Sequence, residues 1–261
     1  MRYFKGSVTL TQAHDYPLLR QVLRSRFVTH SQLFEFMRLG GYERDRKVFN
    51  WRLRRLVVHS FVSQHHAPSA GTEPVYSISA IGAALLQGMG ECFVPLPTPR
   101  SPQKREINVL HSVELNDIRL TLVKAGLEIL WISEGEIRSR NELTHFKFAK
   151  DYDAVVTVAV NSHSARFALE YERTAKKENE YLDIAKRLST EQAVERVVYL
   201  SPNYDVLSFV AKCLKLVRFP IFFGLAPSWH EKLLDMPISG ARGERYQALR
   251  EVLQRPAILE K

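Results

Sequence analysis

The sequence predicts a two-domain α+β protein, in which a small basic domain of helices and a β-hairpin precedes a mixed-sheet α/β domain. The charge distribution, a proline-rich segment and the order of the apolar patterns support this prediction. The chain has 261 residues, with 37 Lys+Arg and 28 Asp+Glu. Residues 1–105 carry 15 basic and 6 acidic side chains, so the whole excess of +9 lies there. Such asymmetry is typical of a polyanion-binding module joined to a second domain.

A proline-rich segment, VPLPTPRSPQKR, separates the two parts. Four of its twelve residues are proline, which interrupts helices and central strands. Residues 94–105 are therefore predicted to be a linker between domains at 1–93 and 106–261.

The first segment has the element order of a winged helix-turn-helix domain. Apolar residues at helical spacing predict helices at residues 16–27, 32–39 and 44–60. Thr29 and Ser31 can cap the second helix, and Gly40-Gly41 ends it. Two short strands, 61–65 and 75–79, flank a Gly- and Pro-containing turn and predict a hairpin, which a small helix at 81–87 follows. Three helices and a hairpin in this order favour a winged helix that binds double-stranded DNA.

The third helix is the expected recognition helix. Its apolar face, formed by Phe49, Leu53, Leu56 and Val57, is expected to pack inward. The side chains expected to face the DNA are Arg44, Lys47, Asn50, Trp51, Arg54 and Arg55. These cations can neutralise phosphates, and Arg, Lys and Asn can also bind base edges. His65 in the wing is a further candidate phosphate contact, and the alternative interpretation is a solvated cationic face.

The second segment alternates helices and strands, which predicts an α/β layer arrangement around a mixed sheet. A long amphipathic helix is expected at 107–125. The predicted strands are 127–132, 146–148, 153–160, 165–173, 195–200 and 217–224. The other predicted helices are 177–188, 204–216 and two near the C-terminus, at 229–234 and 245–253.

Acidic side chains recur at the ends of these predicted elements. Asp153 opens an apolar strand, and Glu170 and Glu172 share one face of the next strand because they are two residues apart. Glu114 and Asp117 share a face of the long helix. Carboxylates that converge from two strands and a helix suit a hard divalent ion such as Mg²⁺. The alternative is a structural network, with these carboxylates paired to Arg173, Lys176 or Lys177.

The segment YDAVVTVAV…ARFALEYERTAKKENEYLDIAKRL resembles the PD-(D/E)xK nuclease fold. With HSVELNDIRLTL and LWISEGEIR before it, the order is similar to that of the replication-relaxation family of plasmids and other mobile elements. The resemblance implies that Asp153 and Glu170 bind the metal, Mg²⁺ or Mn²⁺, together with Glu114. It also implies that Glu172 occupies the position of the catalytic lysine, for which Lys177 or Lys186 could substitute from the following helix. Tyr152 stands in place of the usual proline.

Three functions follow from these observations. The first is a DNA-binding protein of a mobile element, acting in replication, mobilisation or gene control, with a nuclease-like domain. The second is an active Mg²⁺-dependent DNA endonuclease. The third is a transcriptional regulator whose C-terminal domain dimerises, as a homodimer, or senses a ligand. No Gly-x-Ser-x-Gly or Gly-x-x-x-x-Gly-Lys motif occurs, which disfavours an α/β-hydrolase and a P-loop ATPase.

The expected location is the cytoplasm, without a membrane partner. The chain has two cysteines, Cys92 and Cys213, and no Cys-x-x-Cys motif, a pattern that fits a reducing compartment. The N-terminus has no apolar core of a signal peptide, and no apolar run approaches the ~18 residues of a transmembrane helix.

Overall fold

The computed structural model describes residues 8–97, 101–161 and 163–254. The chain divides into two compact units, Met1–Leu120 and Thr121–Lys261. Each unit contains both helices and strands, which confirms the mixed α and β content.

The first unit consists of helices around a small antiparallel sheet with the strand order β1-β3-β2. Its elements are α1 (Asp15–Ser25), β1 (Val28–Thr29), α2 (His30–Leu39), α3 (Arg46–Val58), β2 (Val62–His65), β3 (Val75–Ile78), α4 (Ala80–Gly88) and α5 (Pro102–Lys124). The predicted capping residue of α2 is confirmed, because the Thr29 side chain accepts a hydrogen bond from the Gln32 amide.

Helix α3 begins later than the sequence predicted. Asp45 is its capping residue and accepts hydrogen bonds from the amides of Lys47 at 2.6 Å and Val48 at 3.1 Å. Arg44 therefore precedes the helix. Phe49, Leu53 and Leu56 are buried, as the predicted inner face requires, and the fourth predicted residue, Val57, is half-buried.

The long helix α5 begins within the segment that was predicted to be a linker. Proline is accepted in the first turn of a helix, where its missing N–H needs no partner, and Pro102 occupies that position. The helix also packs on the first unit. The Gln32 side chain donates hydrogen bonds to the Val113 carbonyl at 2.8 Å and to Asp117 at 2.7 Å. The division at Leu120 therefore lies beyond the predicted boundary at residues 94–105.

The second unit is built on a seven-stranded mixed sheet with the order β10-β9-β8-β7-β6-β5-β4. Its strands are β4 (Glu128–Ser133), β5 (Ala154–Val160), β6 (His163–Tyr171), β7 (Val197–Ser201), β8 (Ile221–Leu225), β9 (Ile238–Gly240) and β10 (Arg245–Tyr246). Its helices are α6 (Glu134–Leu143), α7 (Glu178–Leu188), α8 (Tyr204–Leu214), α9 (Ala226–Lys232) and α10 (Leu249–Gln254). The pairs β6–β7 and β7–β8 are parallel, and the other pairs are antiparallel.

The predicted strand at 146–148 is wrong, because these residues are irregular. The sequence analysis also missed α6, which follows β4 directly. Ser133 and Glu136 form a capping box there, in which the Ser133 amide donates to the Glu136 carboxylate at 2.9 Å. Strand β6 ends at Tyr171, so Glu172 lies one residue beyond it. The last predicted helix is shorter than expected because β10 occupies its first part.

Candidate functional site

Asp153 and Glu170 lie opposite each other at one end of the sheet. Ala154 pairs with Leu169 in the antiparallel β5–β6 ladder, so the same register places Asp153 opposite Glu170. Glu170 in turn pairs with Tyr199 across the parallel β6–β7 ladder. Alternate residues of a strand share a face, and Val155 and Ala168, two residues away, belong to the core cluster that also contains residues of α7 and α8. This row of side chains therefore faces the buried side of the sheet.

Glu170 is paired with a lysine that the sequence analysis did not select. Lys150 Nζ lies 2.7 Å from Glu170 Oε1, and the two side chains are only 10% and 4% exposed. Burial raises the pKa of Glu170 to about 7, Lys150 opposes this rise, and the negative charge of Asp153 adds to it. Asp153 Oδ2 accepts a hydrogen bond from the Tyr171 amide at 2.7 Å, which ties this carboxylate to the end of β6.

Glu172 is paired with a second lysine, Lys176, four residues later. The Glu172 amide donates to the Leu200 carbonyl at 2.9 Å, so the backbone still follows β7 although β6 has ended. Burial opposes the positive charge of Lys176, but Glu172 and Glu170 outweigh it and raise the pKa of this lysine. The pairing agrees with the structural network that the sequence left open as an alternative.

Tyr199 lies on β7, beside Glu170. Its side chain is fully buried, and within the described ranges its hydroxyl makes no hydrogen bond. Burial raises the pKa of this phenol, and the nearby Glu170 and Glu172 raise it further. We define the charged cluster as Lys150, Asp153, Glu170, Glu172, Lys176 and Tyr199.

The two other predicted catalytic residues, Lys177 and Lys186, are not part of this cluster. Lys177 is exposed at the start of α7, and Lys186 is exposed and pairs with Asp183 at 3.3 Å. Glu114 lies on α5, in the first unit. Across residues 8–97, 101–161 and 163–254, no group of three His, Cys, Asp or Glu side chains is arranged to hold a metal ion. Lys150 and Lys176 pair with Glu170 and Glu172, so a divalent cation would compete with these lysines for the carboxylates.

Helix α3 presents a polar stripe opposite its buried face. Lys47, Asn50, Trp51 and Arg54 are exposed, and their spacing of three or four residues puts them on one side of the helix. Trp51 is 60% exposed, and the guanidinium of Arg55 lies over its ring at 4.9 Å. We call these four residues the α3 stripe.

Arg55 lies beside this stripe but is tied to the interior. Its Nη2 atom lies 2.6 Å from Asp15 Oδ2, and Asp15 is fully buried. Arg52 binds the other oxygen of Asp15 at 3.1 Å and also Glu43 at 3.2 Å. Burial raises the pKa of Asp15, but the Thr11 amide and the two arginines more than offset this effect, so the net pKa is lowered.

His65 lies on β2, where its Nε2 is 2.7 Å from Ser77 Oγ and its Nδ1 contacts Arg105. Burial lowers the pKa of His65, and the Arg105 cation lowers it further. The imidazole is therefore engaged within the first unit. To contact a phosphate as predicted, His65 would have to give up its interaction with Ser77 or Arg105.

The sequence analysis missed Lys150, Tyr199, Arg52, Asp15 and Glu43. Arg52 falls next to the apolar positions of α3 on a helical wheel, so its burial could be anticipated. The others gave no local signal, since their partners come from distant parts of the chain.

Comparison with protein-family models, with curated proteins and with solved structures found no match. Among the helices in the described ranges, none combines the length and apolar character needed to cross a bilayer.

Proposed function

We propose that this chain is a double-stranded DNA-binding protein of a mobile element, which inserts α3 into the major groove as the recognition helix of a winged helix-turn-helix. Its role would be in the replication, mobilisation or control of that element. The α3 stripe carries this proposal: two cations, an amide and an aromatic ring point outward from one side of a helix whose other side is core. A recognition helix needs this division, because the side chains that contact phosphates and base edges must reach outward from the fold. The Asn50 side chain also hydrogen-bonds to His30, so it would exchange this partner for a base edge on binding.

The surrounding elements support the same assignment. Asp45 fixes the start of α3 through two backbone amides, so Lys47 lies in the first turn of the helix. Strands β2 and β3 follow α3 as a hairpin, in the position of a wing. The +9 excess of charge resides in residues 1–105, which favours attraction to a polyanion.

The test compares duplex binding by Lys47→Ala/Arg54→Ala with binding by wild type, using fluorescence anisotropy over a salt series. Loss of two phosphate contacts is expected to lower the slope of log K against log salt by about 2. The matched control is Arg38→Ala/Lys104→Ala, which removes the same charge from exposed positions of the first unit outside α3. Equal weakening by both double variants would contradict the assignment of α3.

A metal-dependent DNA endonuclease is the second candidate. The carboxylates of Asp153, Glu170 and Glu172, at the carboxyl end of β6 and beside β5, favour it. A divalent ion would have to displace Lys150 or Lys176 from these carboxylates. Incubation of purified protein with supercoiled and linear DNA, with and without Mg²⁺ or Mn²⁺, separates this candidate from a protein that only binds DNA.

A further inference from the structure

The second unit contains a groove that lies outside the charged cluster. Helix α8 lines one side of it, and the other side is formed by α9 and the β9–β10 turn. The groove has a volume of about 1010 Å³, which is at the upper end of the range of small-molecule pockets. Its floor includes Phe223 of β8, whose ring stacks on Tyr199 with the centroids 5.5 Å apart. The groove therefore lies next to the charged cluster, on the same face of the sheet.

Cationic side chains from each of these elements surround the groove. They are Lys212 and Lys215 from α8 and the residue after it, Lys232 from α9, and Arg242 and Arg245 from the β9–β10 segment. All five residues are exposed. Among the described residues that line the groove, one is acidic, Asp235, and Arg250 neutralises it in an ion pair at 2.5 Å. The groove is therefore strongly cationic, although the 22 basic and 22 acidic residues from position 106 onward cancel.

These five cations are not used by the fold. Within the described ranges, none of their side chains takes part in an ion pair or a hydrogen bond. The nearby Glu244 accepts a hydrogen bond from the Arg242 amide at 3.1 Å, so this carboxylate is engaged by the turn. Like charges held around one concavity repel each other and are stabilised by an anion.

An exposed aromatic ring completes the groove. Tyr204 lines it and is 70% exposed, a degree of exposure that packing does not explain. An exposed ring beside a row of cations suits nucleotides, because bases stack on the ring while their phosphates contact the cations. In a duplex the base faces are already stacked on each other, so the ring favours an unpaired strand.

We infer that this groove binds a single strand of nucleic acid, with phosphates on Lys212, Lys215, Arg242 and neighbouring cations and a base on Tyr204. This inference goes beyond the proposed function, since it concerns a second site on the other unit and a different form of nucleic acid. It does not depend on α3.

The test uses the full chain and a labelled oligothymidylate of about 15 nucleotides, close to the longest site of a single-strand-binding domain. The groove variant is Lys212→Ala/Lys215→Ala/Arg242→Ala. The control, Lys124→Ala/Arg187→Ala/Arg218→Ala, removes the same charge from exposed positions of the second unit outside the groove. We expect the groove variant to weaken binding at least about tenfold and to lower the salt slope by about 2, with little effect of the control. Equal weakening by the two variants would overturn the inference.

Two further measurements distinguish the ligand. Tyr204→Ala is expected to weaken binding of oligothymidylate about fivefold or more and to leave binding of heparin, which has no bases, unchanged. Equal losses for both ligands, or none for oligothymidylate, would refute stacking. Thymidine monophosphate that competes as well as the oligonucleotide would point to a free nucleotide and overturn the single-strand assignment. Because Lys47→Ala/Arg54→Ala tests duplex binding separately, failure of either proposal can be recognised without the other.

Discussion

Glu170 and Lys150 form an ion pair inside the second unit, with Lys150 Nζ 2.7 Å from Glu170 Oε1 and both side chains at most 10% exposed. Removing two charges from water costs free energy, and their attraction recovers it only when both partners are present. The pair therefore makes the stability of this unit sensitive to pH and to the loss of either partner.

The first prediction concerns pH. The pKa of Glu170 is about 7 in the folded chain, whereas the ordinary value of a glutamate, expected in the unfolded chain, is 4.5. The folded chain therefore binds the proton of the Glu170 carboxyl group more tightly than the unfolded chain does. The contribution of Glu170 to the free energy of unfolding is therefore fully present below pH 4.5 and decreases as the pH rises through about 7, by an amount on the order of 3 kcal/mol. Urea denaturation at several pH values measures this decrease.

Glu170→Gln is the control for that prediction, because the amide does not titrate in this range. The difference in stability between wild type and Glu170→Gln should change between pH 4.5 and 7 and stay constant above pH 8. A difference that does not vary with pH would show that Glu170 keeps an ordinary pKa in the folded protein.

The second prediction concerns the interior of the first unit. Arg52→Met leaves Asp15 and Glu43 buried with one cation fewer, and we expect a loss of about 3–5 kcal/mol in the free energy of unfolding. Arg54→Ala, two positions away and exposed, should change stability by less than about 0.5 kcal/mol and lower DNA affinity instead. Thermal and urea denaturation measure the first effect, and anisotropy measures the second.

Arg55 belongs with Arg52 in this respect. The sequence alone placed it with Lys47 and Arg54, outside the core, whereas its bond to the buried Asp15 makes it part of the fold. Replacing Arg55 would therefore confuse loss of binding with loss of stability.

The third prediction compares two glycines of α4. A Cβ atom on Gly82 would lie 2.1 Å from the Phe61 carbonyl oxygen, whereas a Cβ on Gly88 would have nothing within 4 Å. We expect Gly82→Ala to destabilise the first unit by about 1–3 kcal/mol, because the backbones of α4 and residue 61 must separate. Gly88→Ala should have no destabilising effect or should stabilise by up to about 1 kcal/mol. Similar changes in the melting temperature for both variants would contradict this account.

The sequence predicted elements that carry their own local signals. Thr29 and the apolar spacing of Leu33 and Phe36 mark α2. The alternation of apolar and polar residues predicts the strand β6, although its last five residues are all buried. Helix α6 was missed because LWIS runs into it without a turn residue, although Ser133 and Glu136 have the spacing of a capping box.

The sequence predicted the carboxylates of the charged cluster but not Lys150 or Tyr199. Asp153, Glu170 and Glu172 could be selected because they lie at strand ends, and strand parity places the two glutamates together. Lys150 lies in an irregular segment before β5 and reaches Glu170 only because β5 and β6 pair in one particular register. Such a contact between distant positions has no signal in a single sequence.

The last prediction separates the two candidate functions through Asp153. Its Oδ2 atom accepts the Tyr171 amide at 2.7 Å, so Asp153→Ala would leave a buried donor unsatisfied at a cost of about 1–3 kcal/mol. Asp153→Asn is the sharper variant, because its carbonyl oxygen can still accept this hydrogen bond while the charge is removed. Loss of that charge should also lower the pKa of Glu170, since Asp153 helps to raise it.

If the chain only binds DNA, Asp153→Asn should bind duplex DNA like wild type, and neither protein should cut DNA in Mg²⁺ or Mn²⁺. If the chain is an endonuclease, wild type should nick supercoiled plasmid in the presence of the metal, and Asp153→Asn should lose this activity at unchanged DNA affinity. We expect the first result, because lysines hold Glu170 and Glu172 and an acid stands where the resemblance would place a lysine. Metal-dependent nicking that disappears in Asp153→Asn but persists in Lys124→Ala/Arg187→Ala/Arg218→Ala, which removes exposed cations outside the cluster, would establish the second.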